Sequence, residues 1–550
     1  MRNGVKIPVV VGVTGHRDLR ENDKENLRAA VRGELEALHS KCPHTPLVLL
    51  SGLAEGADQL CAETALEMGI GIISVLPMPM TEYAKDFSGE AFEKLVRLSD
   101  ASSEVIVAPA LEAYDEKYGT ERDWRYRQAG LYIAKHSHVL LALWDGSEGD
   151  ECGCGTAGIT RVMLDGSFGE PRSGQLHPDD RTVIQIVTPR AETGIAEDLT
   201  AGEVLRHGEA AVLEMMLRDT EIFNSDCEKH TEETEPERPD ASYTSDGPEK
   251  TGKDESDRVL ARLRSMYDAA DALSVENSVK HNRYLARLSV TATALAMAFL
   301  IYDEADWYFL IVVCGFIIGA LFLLNYLGDR SRYQARYLEY RVLAEHLRVQ
   351  YHLRSAGVDC EVSGIMPWNL QLSMPWIRYA VSAAVIGGPV QGRSRIKESW
   401  VLDQKEYHER ALVKSSRKLK SNDRILRIAL VMTLAIYAFA LIFELGFGGK
   451  LIGDEYFSPE ISETIRMYIK IAMGTAAAGT LFAGNYYGKL ALPNVIDDHR
   501  KMAALYEKAA GEIDRLGESE ELLVRLAEDE LNENANWYAY QSKSEPDLGI

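Results

Sequence analysis

The chain has 550 residues, more than one hydrophobic core usually organises, so two or three domains are expected. Its formal net charge of -24 argues against the broad basic face that binds a phosphate backbone, so no nucleic-acid partner is expected. The seven cysteines, Cys42, Cys61, Cys152, Cys154, Cys227, Cys314 and Cys360, are scattered and odd in number, which suits reduced thiols rather than a disulfide framework.

The first 18 residues form a short apolar strand that turns at once into Gly-His-Arg. They lack the basic region, apolar stretch and small-residue site of a signal peptide, so the N-terminus is expected in the cytosol. Up to residue 190, apolar segments at 8–13, 47–50, 71–76, 104–108, 139–144 and 183–187 alternate with helical ones. That alternation predicts an α/β, Rossmann-like, doubly wound parallel sheet covered on both faces. Ligands in such sheets sit beyond the carboxyl ends of the strands, and three of those ends run into loops of Gly and small residues. The first strand leads into Thr14-Gly15-His16-Arg17, where Gly15 permits close backbone approach and the Arg17 guanidinium suits a phosphate. The second leads into Ser51-Gly52-Leu53-Ala54-Glu55-Gly56-Ala57-Asp58, opening a helix whose N–H groups suit an anion, with Asp58 also placed to cap it. The fifth leads into Trp144-Asp145-Gly146 and then Gly153-Cys154-Gly155-Thr156-Ala157. Each loop alone reads as readily as an ordinary turn; three together point to a ligand. Cys152 and Cys154 are too close in sequence for a paired-thiolate knuckle, and no metal is expected. Of His16, His136 and His138, only His16 is placed at the site.

The ordered set GxTGHR, SGxAxGAD, Leu76-Pro77, Ser137-His138 opening an apolar strand, WDG and GxGT resembles the SLOG domains, relatives of the DNA-processing protein DprA and of lonely-guy phosphoribohydrolases. The resemblance covers about the first third of the chain. It implies a nucleotide-binding site built from Gly15, His16, Arg17, Ser51, Gly52, Ala54, Glu55, Gly56, Asp58, Pro77, Trp144, Asp145, Gly146, Gly153, Gly155 and Thr156. The implied ligand is an ADP-ribose-related or cyclic nucleotide, with no resident cofactor. Enzymatic members of the group carry a loop whose final Glu works on the glycosidic bond. Here the corresponding stretch reads Glu151-Cys152-Gly153-Cys154-Gly155-Thr156-Ala157-Gly158-Ile159, and Ile159 is neither acid nor base, so sensing is expected rather than catalysis. Glu55 and Asp145 are the carboxylates left, either for acid-base work or for a ribose hydroxyl.

Residues 191–258 predict a helix and then an acidic linker, because from 223 onward Asp and Glu crowd around Pro236, Pro239 and Pro248 and leave nothing to bury. Two apolar hairpins follow. The first pairs 288–302 with 307–327 across Asp303, Glu304 and Asp306; the second pairs 428–445 with 469–488 across Asp454, Glu455, Glu460 and Glu463. Arg283, Arg287, Arg330, Arg332, Arg424, Arg427 and Lys489 flank the other ends, which by the positive-inside rule puts both termini in the cytoplasm. The predicted organisation is a sheet domain at 1–190, a helix and disordered linker at 191–258, and a first transmembrane hairpin with a cytoplasmic helix at 259–355. A cytoplasmic connector at 356–416, a second hairpin with its helix at 417–535 and a tail at 536–550 complete an all-α domain of four membrane helices.

The hairpin-plus-helix unit, with Pro375-Trp376-Ile377-Arg378-Tyr379 and Gln404-x2-Tyr407-His408, resembles the SLATT-type membrane modules found beside SLOG domains in bacterial conflict systems. Together the resemblances imply a homo-oligomer of the bacterial inner membrane, embedded in the lipid bilayer. It would act as an ion channel or pore former in anti-phage defence, answering a nucleotide second messenger made by a TIR or nucleotidyltransferase enzyme. A membrane-tethered nucleoside-phosphate hydrolase of the lonely-guy type and a membrane-anchored scaffold are the alternatives.

Overall fold

Val, Ile and Leu fill six short segments so densely that both faces of each must be covered. The computed structural model describes residues 5–147, 153–166, 181–190, 199–234, 253–305, 307–388, 396–447, 456–489 and 492–543. In it the six segments become β1 (Val9–Gly15), β2 (Leu47–Ser51), β3 (Gly71–Leu76), β4 (Glu104–Val107), β5 (Val139–Trp144) and β6 (Thr182–Val187). Between them lie α1 (Lys24–Lys41), α2 (Ala57–Glu67), α3 (Met80–Tyr83), α4 (Gly89–Ala101), α5 (Glu121–His136) and α6 (Thr156–Asp165). The sheet has seven strands in the order β4-β3-β2-β1-β5-β6-β7. β1 to β6 are parallel, and β7 (Val204–Gly208) runs antiparallel along β6. The seventh strand lies in the stretch that the sequence assigns to helix and linker. After β4 the chain returns through α5, which begins with a reciprocal Thr120–Asp123 capping box, and β5 pairs with the other side of β1, Val11 opposite Val139. The strand order therefore reverses between β1 and β5, and the crevice at their carboxyl ends is the topological switch point.

The core around this sheet draws on distant parts of the chain. Val10, Leu50, Val75, Leu140 and Ala142 pack with Ala129 and Ile133 of α5, Ile159 and Met163 of α6, and also Ala383 and Ile386. Those last two follow from α13 (Pro375–Ala384), reached through α11 (Val362–Ile365) and α12 (Trp368–Ser373), and α13 is buried along its whole length. The segment expected as a cytoplasmic connector at 356–416 contributes to the core: Trp376, Ile377 and Val381 supply apolar surface that only burial satisfies. Its last residues belong instead to α14 (Asp403–Gly446). The linker expected from 223 is corrected in its first part, because α7 (Ala210–Thr234) extends into it with Phe223 and Asn224 fully buried. The Asn224 amide accepts from the Ile7 N–H (2.9 Å) and donates to the Ile7 carbonyl (2.8 Å), fastening α7 to the entry of β1. The remainder of that acidic stretch, 235–252, lies outside the described residues.

The chain divides into two units. The sheet unit comprises Met1–Leu273, Glu339–Ile396 and Glu520–Asn536; the helical unit comprises Ser274–Leu338, Lys397–Ser519 and Trp537–Ile550. The division falls inside α8 (Lys253–Ala305), α10 (Tyr333–Ser355) and α17 (Glu520–Ser542). The helical unit adds α9 (Leu310–Ser331), α15 (Pro459–Lys489) and α16 (Leu492–Leu516). Among the described residues, three helical stretches are long and apolar enough to cross a membrane: Arg258–Ala305, Leu310–Ser355 and Lys397–Gly446. The fourth span expected at 469–488, in α15, is not among them. Gly474, Gly479, Gly484 and the alanines between carry little apolar surface, and Lys470 stands at its start. That small surface has a packing use, since a Cβ on Gly474 would come within 2.6 Å of Leu300 on α8. Ion pairs tie α15 to its neighbours, Arg466 to Glu444 of α14 at 2.7 Å and Lys470 to Glu304 of α8 at 2.9 Å.

Candidate functional site

Two of the three glycine-bearing loops meet backbone to backbone. A Cβ on Gly15 would fall 2.3 Å from the Ala57 Cβ and 2.9 Å from the Leu143 Cβ, so only glycine lets the end of β1 touch both α2 and β5. Gly56 has φ +88°, and a Cβ there would lie 2.3 Å from the Arg17 carbonyl oxygen. The Ala57 N–H then donates to the His16 carbonyl at 3.0 Å. These contacts correct one expectation: the first N–H of α2 is taken by the protein, and Ala57 and Asp58 at its start are buried rather than open to an anion. Asp58 Oδ2 accepts from the Ala54 N–H at 3.4 Å. Burial pushes the Asp58 carboxyl up to about 7, against the lowering pull of the Ala54 bond, the Arg17 charge and the Gly52 backbone. The Ser51 hydroxyl accepts from the Leu53 N–H (3.1 Å), and the Tyr83 hydroxyl donates to the Gly52 carbonyl (2.9 Å). Pro77 ends β3 and is buried; Ala54 is half-buried and Glu55 exposed.

His16 braces β1 against β5. Its Nε2 accepts from the Asp145 N–H at 3.2 Å and lies 3.2 Å from Asp145 Oδ1. Burial lowers His16 below the ordinary histidine value, with Asp145 opposing, so the ring is neutral at pH 7 and the backbone contact is the working one. Burial would raise Asp145, but hydrogen bonds from Ser147 and the neighbouring His16 hold it below the usual carboxylate range. Arg190 approaches the other oxygen at 3.6 Å. Trp144 is half-buried, and its indole Nε1 is buried without a hydrogen-bond partner among the described residues. Gly146, at φ +86°, turns the chain out to solvent.

The third loop is tied down from α5. Arg127 donates to Glu112 through Nε (3.0 Å) and to the Gly153 carbonyl (2.8 Å), with its guanidinium 4.6 Å above the Tyr118 ring. The Cys154 thiol donates to the Tyr118 carbonyl at 3.2 Å. Gly155 is the N-cap of α6, Thr156 its buried first residue, and a Cβ on Gly158 would meet the Gly153 carbonyl at 2.2 Å. Glu151 and Cys152 lie outside the described residues.

Arg17 differs from its neighbours. Arg122 faces Asp86 at 2.7 Å, Arg127 faces Glu112 and Arg190 faces Asp145. Arg17 is exposed, has no carboxylate within ion-pair distance among the described residues, and lies with its guanidinium 4.6 Å over the Tyr126 ring. Tyr126 is itself fixed by a hydrogen bond to Asp86 and by packing against Tyr83, ring centres 5.9 Å apart. Tyr83, Asp86, Glu112, Tyr118, Arg122 and Arg190 complete the constellation, and glycine motifs did not point to them. The visible signal was the density of Tyr, Arg and Trp over residues 118–127. Comparison of the chain with family models, with curated proteins and with solved structures finds no match.

Proposed function

We propose that the chain is a nucleotide-gated membrane effector. A nucleotide second messenger, ADP-ribose-related or cyclic, binds beyond β1 and β5, and the helical unit then opens or disrupts the inner membrane as a homo-oligomeric ion channel or pore. The observation that carries this reading is Arg17, an exposed guanidinium backed by an aromatic ring rather than a carboxylate, at the switch point of a chain with three helices of membrane length. A guanidinium held by an aromatic ring and its hydroxyl, rather than by a carboxylate, keeps N–H groups for phosphate oxygens. The resemblance to SLOG domains and SLATT-type modules supplies the finer proposal: four membrane helices in two hairpins, both termini cytoplasmic, a role in anti-phage defence, and a TIR or nucleotidyltransferase enzyme that makes the signal. α8, α10 and α17 contribute residues to both units and are the covalent route by which binding reaches the membrane helices. For a near-complete switch the ligand must favour the active arrangement by roughly 5.5 kcal/mol.

Binding is tested on the full chain purified in detergent, by its melting temperature with ADP-ribose, cyclic ADP-ribose isomers, AMP and cyclic dinucleotides. One of these raises the melting temperature, since a ligand selective for the folded state stabilises it. The Arg17→Ala variant melts at the same unliganded temperature and loses the shift. No shift with any nucleotide, or an equal shift in the variant, contradicts the assignment.

A further inference from the structure

We infer that His408 on α14 and His499 on α16 form a proton-sharing pair that makes the contact between these two helices sensitive to pH. Both residues belong to the helical unit. Nδ1 of one ring lies 3.0 Å from Nδ1 of the other, and the ring centres are 5.2 Å apart. The second distance is close to the first plus the two ring radii, so the N–N axis passes nearly through both centres. That in-line arrangement belongs to an N–H···N hydrogen bond. A metal held by both nitrogens needs bonds of about 2.0–2.1 Å meeting at an angle, which brings the ring centres closer for the same N–N distance. Among the described residues no group of three His, Cys, Asp or Glu is placed to hold a metal.

Two imidazoles in line accommodate one proton between them. The neutral and the singly protonated pair both keep the bond; a second proton sets two N–H donors and two positive charges against each other. Their surroundings hold the rings in place: Tyr506 stacks on His408 with ring centres 5.7 Å apart, and Tyr407 stands edge-on to His408 and His499 at 5.1 and 6.3 Å. Several charged groups on the same elements form ion pairs among themselves. On α14, Lys405 lies 3.9 Å from Glu409 and 3.7 Å from Glu507 of α16. On α16, Asp497 pairs with Arg500 and Lys501, and Asp498, next to His499, is raised by burial. In the turn Lys397–Leu402, Lys397 pairs with Asp514. The second proton therefore breaks the bond and sets two cations face to face, so the contact holds at neutral pH and loosens in acid. α14 continues from His408 into its apolar run at 428–445, so the device sits on a helix read as a membrane span; that consequence rests on the proposed function, whereas the pair does not.

The test is hydrogen exchange of the full chain in detergent over residues 403–412 and 495–506 at pH 7.5 and 5.0, corrected for intrinsic rates. In the wild type, exchange at pH 5.0 is faster by about tenfold or more. In His408→Gln and His499→Gln, whose neutral amides still hydrogen-bond, the pH dependence falls to less than about threefold. Wild-type exchange indifferent to pH, or an equal effect in both variants, overturns the proposal. Should the variants fail to fold, imidazole nitrogen NMR of the wild type decides: two protonation steps separated by more than one pH unit support the pair, and two independent steps near the ordinary value overturn it. The Arg17 binding experiment is unaffected by either result.

Discussion

Burial keeps His136 and His138 neutral in the folded sheet unit, lowering them from the ordinary 6.5 to about 4 and 3. The unfolded chain binds protons at both rings as pH falls below 6.5, whereas the folded chain resists until about 4. Their contribution to stability is therefore complete above pH 6.5 and is lost as pH falls toward 4, at up to about 1.4 kcal/mol per pH unit for each ring. The measurement is urea unfolding of the full chain in detergent between pH 7 and 4.5, and the midpoint holds down to about pH 6.5 and falls below it. Two arginines make a second contrast. Arg127→Ala strands the half-buried Glu112 and frees the Gly153 loop, and destabilises by about 3 kcal/mol or more; Arg17→Ala leaves the melting temperature within about a degree. At this scale the sequence made Gly15, His16 and Arg17 visible, because a strand followed by Gly-His-Arg announces a turn beside a cation. Tyr126, Asp86 and Glu112 were not, since only tertiary packing brings α5 and the segments flanking β4 to the switch point.

Among the elements, the six parallel strands were legible from unbroken Val, Ile and Leu runs. β7 was not: Val204-Leu205-Arg206-His207-Gly208 lies at a half-wet edge and alternates too little. The burial of α13 was equally invisible, because its apolar residues acquire meaning only from partners on α5 and α7. Those partners make a polar seam as well. The Tyr132 hydroxyl bonds both the N–H (3.0 Å) and the carbonyl (3.2 Å) of Gly387, and His136 Nδ1 lies 3.0 Å from the Ser382 hydroxyl. Glu361 is 2.7 Å from Lys135, 3.6 Å from His136 and 4.0 Å from Arg354. Burial alone would raise Glu361, but Lys135, His136 and Arg354 together hold its carboxyl down to about 2. Its stabilisation is present above pH 4.5 and disappears as pH falls toward 2. Glu361→Ala uncovers buried cations and costs about 3–5 kcal/mol, read as a fall in melting temperature. Gly15→Ala forces β1 away from α2 and β5, and costs about 2 kcal/mol or more.

For the molecule as a whole, the sheet unit needs three separated parts of the chain, Met1–Leu273, Glu339–Ile396 and Glu520–Asn536. The boundary at 190 suggested by the strand pattern therefore falls short of a folding unit. A fragment of residues 1–190 lacks α7 and α13, exposes the faces of α5 and β1 that they cover, and shows no cooperative thermal transition, whereas the full chain does; calorimetry of the two distinguishes these outcomes. Ligand binding is accordingly a property to measure on the full chain. The central claim joins a nucleotide site to a membrane event, and dye release from liposomes containing the reconstituted full chain tests both at once. Addition of the nucleotide that stabilises the protein releases dye from wild-type liposomes and leaves Arg17→Ala liposomes tight. Liposomes that stay sealed while the nucleotide binds, or that leak equally with the variant, contradict gating by this site.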